Sequence, residues 1–198
     1  MDRIIIAKIS EGLGNQLFMY ANAYAISRKF DLNLCLDPYS GYYKNNIRSF
    51  MLNNFNISSK IAPSKWIFSN NYRNLIKKIK IKCDFFKKKK SFLFESKDKN
   101  KLTKFSSIKL DNFNDKIYID GNFESEKYFI DYRNDLLNEF SFNKDMSNNK
   151  YLDIIKNHNV VSISIRQNRY SERMNNKFDQ HSISKSQDFV AKTVDYIY

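Results

Sequence analysis

Gly12-Leu13-Gly14-Asn15-Gln16 is the stretch whose residue types and spacing bear most directly on chemistry. Glycines between a strand and a helix let the backbone turn tightly and approach a ligand closely, and the helix N-terminus that follows favours negative charge. As a dinucleotide fingerprint the run fails, because its third Gly position is Leu17, and the Lys-Ser/Thr ending of a phosphate-binding P-loop is missing. By spacing alone it fits a structural strand-to-helix turn as well as a ligand-facing one. Other reactive side chains are sparse. His158 and His181 lack any neighbouring Cys or carboxylate constellation and read as ordinary surface or core histidines. Cys35 and Cys83 form neither a disulfide framework nor a metal pattern, so no metal is expected and the setting reads as reduced and cytoplasmic.

The elements that must position these residues read as α/β. Arg3 to Ile9 is a short apolar strand, too short for a signal peptide, and stops at Ser10-Glu11-Gly12. Leu17, Phe18, Ala21, Tyr24 and Ala25 recur at helical spacing as far as Phe30, with Asn15 as the predicted N-cap. Leu32 to Leu36 gives a second strand ended by Asp37-Pro38, so the opening is a βαβ unit with a parallel sheet. Residues 39–59 read as irregular. Lys116 to Asp120 restores a strand, and Gly121-Asn122 turns it into a helix with Phe129, Tyr132, Leu136 and Phe140 on one face and Glu124 and Glu126 near its positive end. Ser141 to Lys150 is polar and without period, a linker. Beyond it, Val160 to Ile165 reads as a strand leading into Arg166-Gln167-Asn168-Arg169, and Phe189, Val190, Val194 and Ile197 as a last helix. The expected organisation is a domain over 1–145 and the first βα unit of a second over 151–198, incomplete because one unit cannot cover both faces of a parallel sheet.

Composition sharpens the charge question. The 198 residues are 42% hydrophobic and 16% aromatic with four Gly and two Pro, which excludes disorder and low-complexity scaffolds. The formal net charge is +13, and all of it belongs to residues 60–110, where 15 Lys and Arg73 face Asp84, Glu95 and Asp98. Within that insertion-like segment Leu75, Ile76, Ile79 and Cys83 lie at helical spacing among Lys77, Lys78, Lys80 and Lys82, a basic amphipathic helix, and Lys87 to Lys90 read as solvated. No apolar run is long enough for a bilayer span.

The longer string Gly12-Leu13-Gly14-Asn15-Gln16-Leu17-Phe18-Met19-Tyr20-Ala21 resembles the N-terminal signature of glycosyltransferase family 11, the α-1,2-fucosyltransferases. The Ser49 to Ser58 region, with Leu52 and Phe55-Asn56-Ile57, and the run Ile119 to Phe129 are similar to further segments of the same family. The resemblance implies a GT-B architecture of two Rossmann-like domains, the first on the acceptor side. It also implies inverting transfer of fucose from GDP-fucose to a galactoside hydroxyl, with no cofactor beyond that donor and no metal. The family's His-x-Arg-Arg-x-Asp motif falls on Ser164-Ile165-Arg166-Gln167-Asn168-Arg169, and only Arg166 matches.

On that resemblance Arg166 pairs with the β-phosphate as GDP leaves, a contribution on the order of 2.7–4 kcal/mol to the transition state. Arg169 replaces part of the missing Arg charge. Gly12, Gly14, Asn15 and Gln16 contact the sugar or the pyrophosphate, and Glu11, standing where the family usually has a small residue, is the candidate general base. A different class of reading treats residues 60–110 as a binding module. Trp66, Phe68, Phe85, Phe86, Phe92 and Phe94 among lysines resemble a stacking platform in composition. The cations are nearly all Lys and no nucleic-acid signature is present, so no specific nucleic acid is expected. An anionic membrane surface, at the inner face of which a lipid-linked glycan acceptor would sit, is the expected partner of the basic helix.

Overall fold

A computed structural model describes residues 3–44, 48–95, 108–143 and 151–160. The chain divides into two compact units, Met1–Asp145 and Met146–Tyr198. In the first, β1 (Ile4–Lys8), α1 (Leu13–Lys29) and β2 (Asn33–Asp37) form the expected parallel βαβ unit. Ile4-Ile5-Ile6-Ala7 is apolar throughout because both faces of the strand are covered. Ile5 and Ala7, beside Ile117 and Ile119 of β5 (Phe113–Asp120), pack under α1, whereas Ile6 and Tyr118 belong to a second core on the opposite face. The five strands are parallel and run β3-β2-β1-β5-β4, where β3 is Lys60–Ile61 and β4 is Lys90–Phe94. An α/β fold with a parallel sheet is therefore the observed class.

α1 is buried at every position from Met19 to Ser27, since the sheet covers one side and the short 3-10 turns Leu52–Asn54 and Glu126–Tyr128 the other. Its N-cap is Gly12, not Asn15, and no side chain caps it. Asn15 lies inside the first turn, so its amide is released for another partner. The helix expected after Gly121 is also different: two 3-10 turns, Glu126–Tyr128 and Ile130–Tyr132, precede a short α3 (Arg133–Glu139). Phe123 at φ 51 bends the chain there, so Glu124 and Glu126 do not sit in the first turn of α3.

The basic segment is no insertion. It supplies both edge strands, β3 and β4, and the crossover helix α2 (Asn71–Phe85) between them. Nor do its aromatics make one platform: Trp66, Phe68 and Phe92 pack on Tyr118, while Phe85, Phe86 and Phe94 face solvent. The expected linker begins as ordered structure, with Phe142 bridging to Phe55 and Asn56 N–H donating to the Ser141 carbonyl at 2.9 Å. In the second unit, α4 (Leu152–Asn157) ends at an exposed His158. Arg166, Arg169, His181 and the predicted last helix lie outside the described residues.

Candidate active site

Because the strands are parallel, the segments leaving β1, β2, β4 and β5 gather at one edge of the sheet. α1 departs from β1 towards β2 while β5 lies on the other side of β1, which makes the β1–β5 junction the switch point where open α/β sheets accept ligands. Glu11 and the Gly12 turn leave β1 at this junction, and Gly121 to Glu124 leave β5 beside it.

Glu11 stands at φ 66, a left-handed backbone that suits glycine and costs a residue with a Cβ about 1–2 kcal/mol. Arg48 holds its side chain, with Nη1 2.8 Å from Oε2, and the same guanidinium lies 3.5 Å from where a Cβ on Gly12 would stand. Tyr42 donates to the Glu11 carbonyl at 3.3 Å. Burial, helped by the Glu11 charge, pushes the Tyr42 phenol up to about 12, so it stays a neutral donor. Gln16 is fully buried and spends its amide on the protein: Nε2 donates to the carbonyls of Glu11 at 3.1 Å and Ser49 at 2.9 Å, and Oε1 accepts from Met51 N–H at 2.9 Å. It thus ties the β1 loop to residues 49–51 and has no group turned towards a ligand. Asn15 does face outward, donating to Glu124 of the β5 loop at 3.0 Å.

The glycines differ in what demands them. A Cβ on Gly121 would come within 2.5 Å of the Glu95 Cβ, and one on Gly41 would meet the Ile9 carbonyl and Ser10, so the fold itself requires both. A Cβ on Gly14 would meet nothing within 4 Å. Glu95, past the end of β4, accepts the N–H groups of Asn122 at 2.8 Å and Phe123 at 3.0 Å, and so fixes the β5 turn.

Below the loops sits a charged layer. Asp120 accepts from Lys8 at 2.8 Å and from Lys77 of α2 at 2.7 Å. Burial alone would push the Asp120 carboxyl up, but the two ammonium groups outweigh it and hold it below the usual range. Burial pushes Lys77 down, with Asp120 opposing. Asp37, fully buried at the end of β2, accepts from Tyr118 at 2.7 Å, from Ser40 Oγ, and from the N–H groups of Tyr39 and Ser40. Burial and the neighbouring Asp37 charge push the Tyr118 phenol far up.

Sequence reasoning missed Arg48, whose place beside Gly12 depends on a loop without periodicity, and the Lys8–Asp120–Lys77 triad. The apolar run from Arg3 to Ile9 marks a strand but carries no sign of the role of Lys8. Among the described residues no group of His, Cys, Asp and Glu is placed to hold a metal ion, and no helix is long and apolar enough to cross a membrane.

Comparison with known proteins gives one similarity of note. The chain is 30% identical over 173 residues to the alpha-1,2-colitosyltransferase of Escherichia coli, a stretch that is 84% of this chain and 55% of the relative. It therefore spans about half the length of that curated relative. No family model matches the sequence, and no solved structure does.

Proposed function

We propose that the chain is a glycosyltransferase, or the part of one that carries these loops, transferring a fucose-type sugar from a nucleotide donor to a galactoside hydroxyl with inversion in α-1,2 linkage. The observation that carries this reading is the turn at Gly12 to Gly14. Its helix has no side-chain cap and no acidic residue in the first turn, and the space beside Gly14 is open. A ligand is the simplest reason for a glycine that the fold does not need. The similarity to a colitosyltransferase supports the same class of reaction.

In this mechanism Glu11 takes the proton of the acceptor hydroxyl as the acceptor oxygen bonds to the anomeric carbon, while the bond from that carbon to the β-phosphate oxygen breaks and GDP leaves as an anion. Arg48 aims the Glu11 carboxylate by holding Oε2, and Oε1 has no partner among the described residues. Arg166, with Arg169 nearby in sequence, receives the departing phosphate charge. Gly12, Gly14 and Asn15 line the donor, and Gln16 acts by positioning the loop.

The test incubates the chain with GDP-fucose and a galactoside, and in parallel with a donor carrying colitose, and follows GDP release and the new disaccharide. Expected is release from one donor that requires the acceptor, lost in Arg166→Ala. Absence of release from both donors, together with absence of GDP binding by calorimetry, would overturn the reading.

A further inference from the structure

α2 is mounted with its polar side inward. Its buried residues are Lys77, at 7% exposure, and Asp84, at 4%. Four polar anchors set that orientation. Asn70 caps the helix by accepting from Arg73 N–H at 2.8 Å, and Arg73 Nη1 donates to the carbonyls of Ser64 at 2.8 Å and Ile67 at 3.2 Å. Lys77 reaches Asp120, and the Asp84 carboxylate accepts the N–H groups of Ser91 and Phe92 at the start of β4. Ile81 packs against the sheet-side core.

The consequence is an apolar ridge pointing away from the protein. Tyr72, Leu75, Ile79, Cys83 and Phe86 follow one another on successive turns of the outer face, and Tyr72 at 73%, Leu75 at 56%, Ile79 at 53% and Phe86 at 86% are all widely exposed. Exposed Lys78 and Lys82 run along one flank, Lys80 along the other, and Lys87, Lys88 and Lys89 follow the end of the helix. A soluble helix ordinarily turns such a ridge to the core.

We infer that this face of α2 docks on the surface of an anionic lipid bilayer, with the ridge entering the headgroup and acyl boundary and the lysines meeting lipid phosphates. The charge decides the occupant. A second copy of the chain would bring the same lysines face to face, and like charges oppose that pairing. A nucleic acid would satisfy the lysines but has no place for the aliphatic Leu75 and Ile79, whereas a bilayer accepts both halves of the pattern. The inference stands on α2 alone and is independent of the proposed transferase activity.

The experiment is co-sedimentation of the full chain with vesicles of phosphatidylcholine alone and of phosphatidylcholine with phosphatidylglycerol. Expected is pelleting only with the anionic vesicles, weakened by added salt. The double variant Ile79→Ser/Phe86→Ser should lower the partition coefficient about tenfold or more, through lost apolar insertion. Lys82→Ala should lower it about fivefold. These side chains are exposed, so unchanged circular dichroism is expected. As a second reading, Phe86→Trp should show a blue-shifted emission on adding anionic vesicles. Equal pelleting with both vesicle types, no loss in the apolar variant, or vesicle-free self-association abolished by Ile79→Ser/Phe86→Ser would overturn the inference.

Discussion

Lys77 of the crossover helix donates to Asp120, the last residue of β5, across 2.7 Å, and this contact joins the outer basic helix to the strand that ends at the candidate site. Lys8, the last residue of β1, takes the other oxygen of the same carboxylate at 2.8 Å. One carboxylate is therefore shared by two ammonium groups at the β1–β5 junction, directly beneath the loops that leave the two strands.

Replacing Asp120 with Asn removes the charge while keeping the shape. Lys77 is then a buried cation without its counter-ion, and the expected loss is roughly 2–3 kcal/mol of folding stability, read from the urea midpoint. The pH dependence has a definite sign. The folded Asp120 carboxyl lies below its usual range, so its contribution is present above the unfolded value near 4 and is lost as pH falls through the folded value. The gap between wild type and Asp120→Asn should thus be widest at neutral pH and close on acidification. A gap that is constant down to strongly acidic pH would mean that the pairing does not stabilise the fold.

The parallel βαβ opening is legible because the short apolar run Ile4 to Ala7, bounded by a Gly-bearing turn, and the helical spacing of Leu17 to Ala25 are local patterns. What was not legible depends on contacts between distant segments. Asn15 looks like a cap, yet Gln16 draws residues 49–51 against the turn and the helix starts earlier, at Leu13 with Gly12 as the cap. The basic segment looked like an insertion because its lysines dominate its composition; β3 at two residues and β4 with a register shift near Ser91 leave little strand signal to read. Leu75, Ile76, Ile79 and Cys83 do lie on one helix, α2, but periodicity cannot say which way a stripe faces. That is set by Lys77, whose partner Asp120 lies far along the chain, and by Asp84, which accepts the N–H groups of Ser91 and Phe92 where the next strand begins.

Glu11 offers a separation of stability from chemistry. Glu11→Gly removes the strain of φ 66, worth about 1–2 kcal/mol, and forfeits an exposed ion pair with Arg48 that contributes at most about 1 kcal/mol. Thermal unfolding should therefore stay unchanged or rise slightly. If Glu11 is the proton acceptor, the acceptor-dependent rate should fall about a hundredfold or more, with the loss in kcat and little change in donor affinity. A variant that is destabilised yet fully active would remove Glu11 from the mechanism and leave it as a loop anchor.

Gly14 and Gly121 form a matched pair, since both stand at the mouths of adjacent strands but only one is required by packing. Gly121→Ala would drive a methyl to within 2.5 Å of the Glu95 Cβ and 2.9 Å of the Phe123 ring, which must shift a turn already held at φ 51; the expected cost is about 1–3 kcal/mol. Gly14→Ala meets nothing within 4 Å and lies in a helix, where alanine is favoured over glycine by up to about 1 kcal/mol. Its stability should hold or rise. Its methyl nevertheless occupies the space through which a donor would approach the free helical amides, so the affinity for GDP, measured by calorimetry, should fall about tenfold. Undiminished GDP binding by a well-folded Gly14→Ala would show that the open space at the head of α1 is not where the nucleotide sits.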